Sequence, residues 1–194
     1  MNSADFPWGH DGTSVYDLAF TMLKSNQQLQ SQLQCLQCAS EYVNGDALSY
    51  VLNLNQANFE DSDNSTFKRV QRLQQLKWHQ KCSLCHTNTV RFTQYINPVN
   101  FIIVQVRDCN IKISRKIKVT SKNEINNLSI CGVIYHGEFH FTARIINIDG
   151  TIFYHDGITT QRQTLKDRHM SQIDKYYLNT CKGKQATLVI YARK

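Results

Sequence analysis

Two short cysteine pairs carry the most specific chemistry in this chain. Cys35-Leu36-Gln37-Cys38 and Cys82-Ser83-Leu84-Cys85 are C-x2-C knuckles with 43 intervening residues, 39 to 81. Two residues between thiols let one tight turn aim both sulfurs at a single point, and two such turns make a tetrahedral four-sulfur zinc site. Ordinary buried cysteines or two redox pairs are the plainer readings of a single knuckle. Two matched knuckles point to zinc held by Cys35, Cys38, Cys82 and Cys85. Four protein ligands leave no open position, so the metal is structural, contributing on the order of 10 kcal/mol to folding. His79 and His86 flank the second knuckle as substitute ligands, behind the four thiols. Cys109, Cys131 and Cys181 lack such spacing and read as small buried hydrophobes beside apolar strands.

A second constellation lies in CGVIYHGEFHFTARIINIDGTIFYHDGITT, residues 131–160. Two apolar runs meet at Asp149-Gly150, a strong hairpin signal. His140 starts the first run and Asp156 ends the second, so the hairpin brings them together. A carboxylate that holds an imidazole fixes its tautomer and stabilises the imidazolium, the orienting half of a nucleophilic triad. A surface His–Asp pair is the bland alternative. His136 and His155 are further candidates for the same role, and spacing does not choose among the three.

The elements that position these groups follow from periodicity. Val15, Leu18, Ala19, Met22 and Leu23 share a helical face, which predicts a helix over 14–24. The Gln-rich stretch 27–34 extends it or forms a loop. A strand is expected over 47–54, then a short helix with Phe67, Val70, Leu73 and Leu76 at three-residue spacing. Beyond residue 86 the pattern turns to strands: TVRFTQY, NFIIVQVR, KISRKIKV, SICGVIYH, FHFTARIINI, TIFYHD and ATLVIYAR. The expected fold is α+β, one domain over 1–194, with a zinc-bearing segment at 35–90 and a mostly antiparallel, β-rich part at 91–194.

Composition narrows the partners. Hydrophobic residues make up 41% of the chain, so it is globular. No apolar run approaches the roughly 18 residues of a membrane span, and the polar start is no signal peptide, so no membrane partner is expected and the compartment is cytoplasmic or nuclear. Seven cysteines with metal-type pairing fit a reducing compartment. The formal charge of +7 would suit nucleic acid, but the basic residues are scattered, with short clusters only at Lys68–Arg72 and Lys112–Lys118.

In this order the motifs resemble the ubiquitin-specific proteases, a family of papain-like cysteine peptidases whose zinc-bearing fingers carry two C-x2-C knuckles. INPVNFIIVQVRDC (96–109) resembles the family's L-P-x-x-L-x-x-x-L-K-R-F strand, and SRKIKVT (114–120) its R-K-x-x-x-x-V strand. GVIYHGEFHFTA (132–143) is similar to the histidine box, IFYHDG (152–157) to W-Y-x-F-D-D, and ATLVIYAR (186–193) to A-Y-x-L-F-Y-x-R. The resemblance runs collinearly over residues 35 to 194. It implies a truncated papain-like fold of the ubiquitin-specific-protease type and the four zinc ligands above. It makes His140 the general base and Asp156 its orienting residue, with ubiquitin or a ubiquitinated protein as partner. An exposed groove lined by Phe139, Phe141 and Tyr154 is expected beside the pair.

The departures are equally specific. The family's nucleophilic cysteine lies in an N-terminal helical thumb, yet none of the 34 residues before Cys35 is a cysteine. Phe139 stands where the family has Gly, and K-R-F is replaced by Val106-Arg107-Asp108. Three readings follow. The chain is part of a deubiquitinase whose thumb is supplied in cis or in trans. It is a pseudo-enzyme that binds ubiquitin or another protein. Or it is a diverged, mobile-element-associated zinc-and-β module that binds nucleic acid.

Overall fold

The computed structural model describes Ala19 and residues 29–35, 37–39, 41–48, 51–54, 64–75, 81–82, 84–87, 89–95, 99–106, 110–121 and 124–194. The helix expected over 14–24 lies outside the described residues, Ala19 apart, as do His79 and Cys109. Strands β1 (Leu29–Cys35), β2 (Glu41–Leu48) and β3 (Val51–Asn53) precede helix α1 (Thr66–Gln75). Then come β4 (Thr89–Tyr95), β5 (Phe101–Gln105), β6 (Lys116–Ser121), β7 (Glu124–Gly137), β8 (His140–Ile146), β9 (Thr151–His155) and β10 (Leu165–His169). A 3-10 turn (Met170–Gln172), β11 (Thr180–Cys181) and β12 (Lys184–Ala192) complete the described elements. Among them, no helix is long and apolar enough to cross a membrane.

One branched sheet holds all the strands. Its main path runs β10-β9-β8-β7-β6-β4-β1-β2, and β12, β5 and β3 branch from β7. The pairings are antiparallel except β3 with β5 and β4 with β6. Among the described residues, the limb β1-β2-β4 joins the rest of the sheet at one pairing, Tyr95 opposite Ser121. That limb is the fingers, and the strands from β5 onward are the palm.

Strand β6 alternates as its sequence does. In β6, Ile117 and Val119 are buried while Lys116, Lys118 and Thr120 face out, the period-two pattern of a sheet with one wet face. The core collects Ile102, Val104, Leu128, Val133, Tyr135, Ile152 and Val189. Helix α1 places Val70 in it, with Phe67 and Leu73 packed against its edge, the face expected from their spacing. Ser65 Oγ accepts from the Lys68 amide at 3.3 Å, capping the first turn. The wholly buried phenol of Tyr191 ties this helix to the sheet. It donates to Ser114 O at 2.9 Å, so the Thr66 hydroxyl donates to it at 2.7 Å.

Three local expectations change. Residues 29–35 form a strand, not a helical extension or loop. Leu29, Ser31, Leu33 and Cys35 alternate with Gln30, Gln32 and Gln34, and pairing to both β2 and β4 outweighs the indifferent propensity of glutamine. The single strand expected over 47–54 is the end of β2 and all of β3, which pair in different limbs. Within 112–119 only the second half is in β6. Lys112 instead bridges to Ser65, and the Arg115 guanidinium donates to Met170 O.

Candidate metal centre and histidine–aspartate pair

The two knuckles are built alike. Cys35 ends β1 and Cys38 follows in a turn, while Cys82 and Cys85 sit in a turn closed by Cys82 N to Thr87 O at 2.7 Å and His86 N to Cys82 O at 2.9 Å. The residue after each second cysteine takes the left-handed conformation, Ala39 at φ 53° and His86 at φ 57°. Each knuckle also turns an amide onto its first sulfur, Cys38 N to Cys35 Sγ at 3.5 Å and Leu84 N to Cys82 Sγ at 3.4 Å.

All four sulfurs lie within 4.8 Å of one another. Cys35 Sγ is 3.2 Å from Cys85 Sγ, and Cys38 Sγ is 3.7 Å from Cys82 Sγ. A tetrahedral ion at about 2.3 Å from each sulfur sets them about 3.8 Å apart, so the cluster fits a metal with little adjustment. The Cys38 amide and the Thr87 hydroxyl draw the Cys35 thiol down to about 7, toward the thiolate a metal requires. The Thr87 hydroxyl and amide favour ionised Cys85 as well, but the adjacent Cys35 and burial push that thiol up. A bound cation would remove this conflict by neutralising both. Thr87, 2.9 Å from Cys85 Sγ and 3.3 Å from Cys35 Sγ, is a partner that spacing did not reveal. Among the described residues the metal-capable group is the four cysteines, without His86.

In the palm, the β7–β8 hairpin turns at Glu138 and Phe139, both left-handed at φ 53° and 57°, and His140 is the first residue of β8. The β8–β9 register sets Ala143 opposite His155, so Asp156 follows opposite Thr142 and His140 is its diagonal neighbour on the same face. His140 Nε2 lies 2.7 Å from Asp156 Oδ1. An ionised carboxylate only accepts, so Nε2 carries the proton and neutral His140 keeps its lone pair on Nδ1. The other two histidines are engaged elsewhere. The His136 ring packs on Phe141 at 4.4 Å, and His155 Nδ1 lies 3.0 Å from Gln163 O.

Asp156 is only 6% exposed. Burial works against its ionisation, but His140 and the amides of Ile158 and Thr159 outweigh it and hold the carboxyl well below the usual carboxylate range. Those amides reach Oδ1 at 2.9 and 3.2 Å, and Thr160 Oγ1 accepts from the Asp156 amide at 3.0 Å. The signal for this cradle was legible as Asp-Gly followed by two threonines, a local side-chain-to-backbone turn. Because the folded pKa is depressed, the stability from Asp156 is present above the unfolded value of about 3.9 and is lost as pH falls below it. Melting temperatures from pH 6 to pH 2 should therefore fall less steeply for Asp156→Asn than for the wild type, and equal slopes would contradict the cradle.

The expected groove changes in one member. Phe139 is fully exposed and Phe141 partly so, but Tyr154 is 5% exposed. It shares the inward parity of Ile152 and Asp156 on β9, beneath Lys182. A cleft of about 960 Å3 lies instead along Val106, Asn110, Ile111, His136, Tyr176 and Gln185. Among the described residues, no carboxylate lines it.

No protein-family model and no curated protein matches the sequence. Solved structures do. The SAGA DUB module of Ubp8, Sgf11, Sus1 and Sgf73 bound to monoubiquitin matches with a TM-score of 0.54 at 13% identity over 86% of this chain. The same module bound to ubiquitin aldehyde gives the same values, and a yeast SAGA DUB module with a mutant Sgf73 gives 0.53 at 14% identity. This chain spans about 40% of the length of those solved chains. At such low identity the likeness speaks to architecture: the chain has the ubiquitin-specific protease fold over its fingers-and-palm part.

Proposed function

We propose that the chain is the fingers and palm of a ubiquitin-specific-protease-like domain that binds ubiquitin or a ubiquitinated protein, with zinc in the four-cysteine site. The single observation that carries this reading is His140 Nε2 at 2.7 Å from a buried, amide-cradled Asp156, on this fold. The fold neighbours are recorded bound to monoubiquitin and ubiquitin aldehyde. Deubiquitination by a thiol needs Nδ1 of such a histidine to take the nucleophile's proton. No cysteine precedes Cys35, and burial pushes the Cys131 and Cys181 thiols up, away from reactivity. By the mechanism of the family it resembles, hydrolysis of a ubiquitin C-terminal bond calls for a thiol from a thumb segment in cis or in trans, because Cys109, Cys131 and Cys181 all lie beyond Cys35 in the chain. A reducing compartment, cytoplasm or nucleus, suits the thiol-rich metal site.

Phe139 favours a second reading. Its ring is fully exposed beside His140, on a left-handed residue where a substrate backbone would approach. That suits a module that holds ubiquitin without cleaving it. The test separates binding from chemistry. Titrated with ubiquitin, the zinc-loaded chain should show amide shifts over 132–141, without hydrolysing a ubiquitin C-terminal amide or labelling with a ubiquitin-based thiol probe. Labelling at Cys131 or Cys181 would mean that the nucleophile has been misassigned. Binding of nucleic acid with no response to ubiquitin would return the chain to the diverged-module reading.

A further inference from the structure

Asp156 meets its two sides differently. Oδ1 takes His140 Nε2 at 2.7 Å and the amides of Ile158 and Thr159 at 2.9 and 3.2 Å. Oδ2 takes the phenol of Tyr154, which donates to it at 3.0 Å. Amides on one oxygen leave a carboxylate free to pivot about that oxygen. A donor on the other fixes the plane of the group, and with it the direction in which Oδ1 faces the imidazole.

We propose that Tyr154 is a positioning residue, whose hydroxyl locks the Asp156 carboxylate so that His140 is held with Nε2 protonated and Nδ1 free. The inference rests on reading His140 and Asp156 as the base and its orienting residue. Tyr154 is well placed for this work. Its ring is 5% exposed, and the Lys182 ammonium stands 3.9 Å from the ring centre. Lys182 is at the tip of the β11–β12 turn, where it and Gly183 have φ 47° and 79°, so that hairpin clamps the ring from outside. Burial and the Asp156 carboxylate push the phenol up to about 12, so it remains a donor at neutral pH. A phenylalanine would fill the same space and leave Oδ2 without its hydroxyl donor, in a residue that water scarcely reaches.

The experiment is proton–nitrogen NMR of the zinc-loaded chain, with histidine side chains labelled, at fixed neutral pH. In the wild type the His140 Nε2 proton should appear far downfield and exchange slowly with water. In Tyr154→Phe it should move upfield and exchange about tenfold faster, the change expected when one charge-assisted hydrogen bond loses its alignment. Tyr177→Phe is the control for a structural effect alone. It removes a phenol that donates to Asp167 Oδ1 at 2.7 Å and should leave the His140 signal in place. Should Tyr154→Phe fail to fold, 3-fluorotyrosine at position 154 strengthens the donor and should shift the resonance the opposite way. An unchanged His140 signal in the Tyr154 variants overturns the inference while the His–Asp pair stands. Absence of a protected Nε2 proton in the wild type overturns the pair, and the inference with it.

Discussion

Cys82→Ser is expected to remove close to one zinc per chain and to unfold the fingers while the palm persists. Structural zinc supplies on the order of 10 kcal/mol to folding, comparable with the whole net stability of a typical domain. Here that energy would be concentrated in one limb. Among the described residues, strands β1, β2 and β4 reach the main sheet through the pairing of Tyr95 with Ser121, and the first knuckle begins at the end of β1. Without the metal, the adjacent sulfurs of Cys35 and Cys85, 3.2 Å apart, resist sharing two negative charges. The palm has its own core of buried Ile117, Leu128, Val133 and Val189 and does not need the ion. Amide exchange should therefore accelerate in β1 and β4 of the variant and stay slow in β7 and β12. Cys131→Ser, outside the cluster, should keep its zinc. A Cys82→Ser protein with wild-type metal content would remove the four-sulfur assignment.

Arg144→Ala should be the most damaging substitution outside the metal site, lowering stability by about 3–5 kcal/mol. Arg144 is 6% exposed. Its guanidinium donates Nε to Asp167 Oδ2 at 2.9 Å, and Nη1 to Tyr177 O and Thr180 O, both at 2.8 Å, and to Tyr135 OH at 3.2 Å. The ring of Tyr177 lies 4.0 Å from its central carbon. Truncation strands a carboxylate, a buried phenol and two carbonyls at once, and unmet buried partners are the costly outcome. For a chain of this size, that loss lowers the melting temperature by about 10 °C. Arg144→Lys keeps the charge but cannot present the planar fork that reaches all four acceptors, so it should recover only part of the loss. Asp167→Asn should cost less than either, because Asp167 is nearer to solvent. The network fastens residues 165–181 to β8, and that segment leads into Lys182 over Tyr154. Wild-type stability in Arg144→Ala would show that water satisfies these groups.

Much of this molecule could be read in advance because its signals are local. A knuckle needs only two residues between thiols, so four ligands were evident before any fold was known. Strand β6 shows its faces as polar–apolar alternation, and Asp149-Gly150 marks its own hairpin: Gly150 has φ 91°, and Asp149 accepts from the Thr151 amide at 2.8 Å. The alternation of β1 was equally present, but glutamine hid it, since a neutral side chain marks neither face as buried.

What remained open depended on register and on distant partners. His136, His140 and His155 were equivalent by spacing. One strand pairing, Ala143 against His155, put His140 diagonal to Asp156 and left the other two on different neighbours. Parity along β9 decided that Tyr154 would be buried and act on Asp156 instead of lining a groove. Arg144 looked like any charged residue in a strand until residues 165–180 folded over it to provide an anion, two carbonyls and an aromatic face. Periodicity says that a side chain faces inward; only the packed chain says what it meets there, because each buried polar group takes its partner from whichever segment tertiary folding brings within about 3 Å.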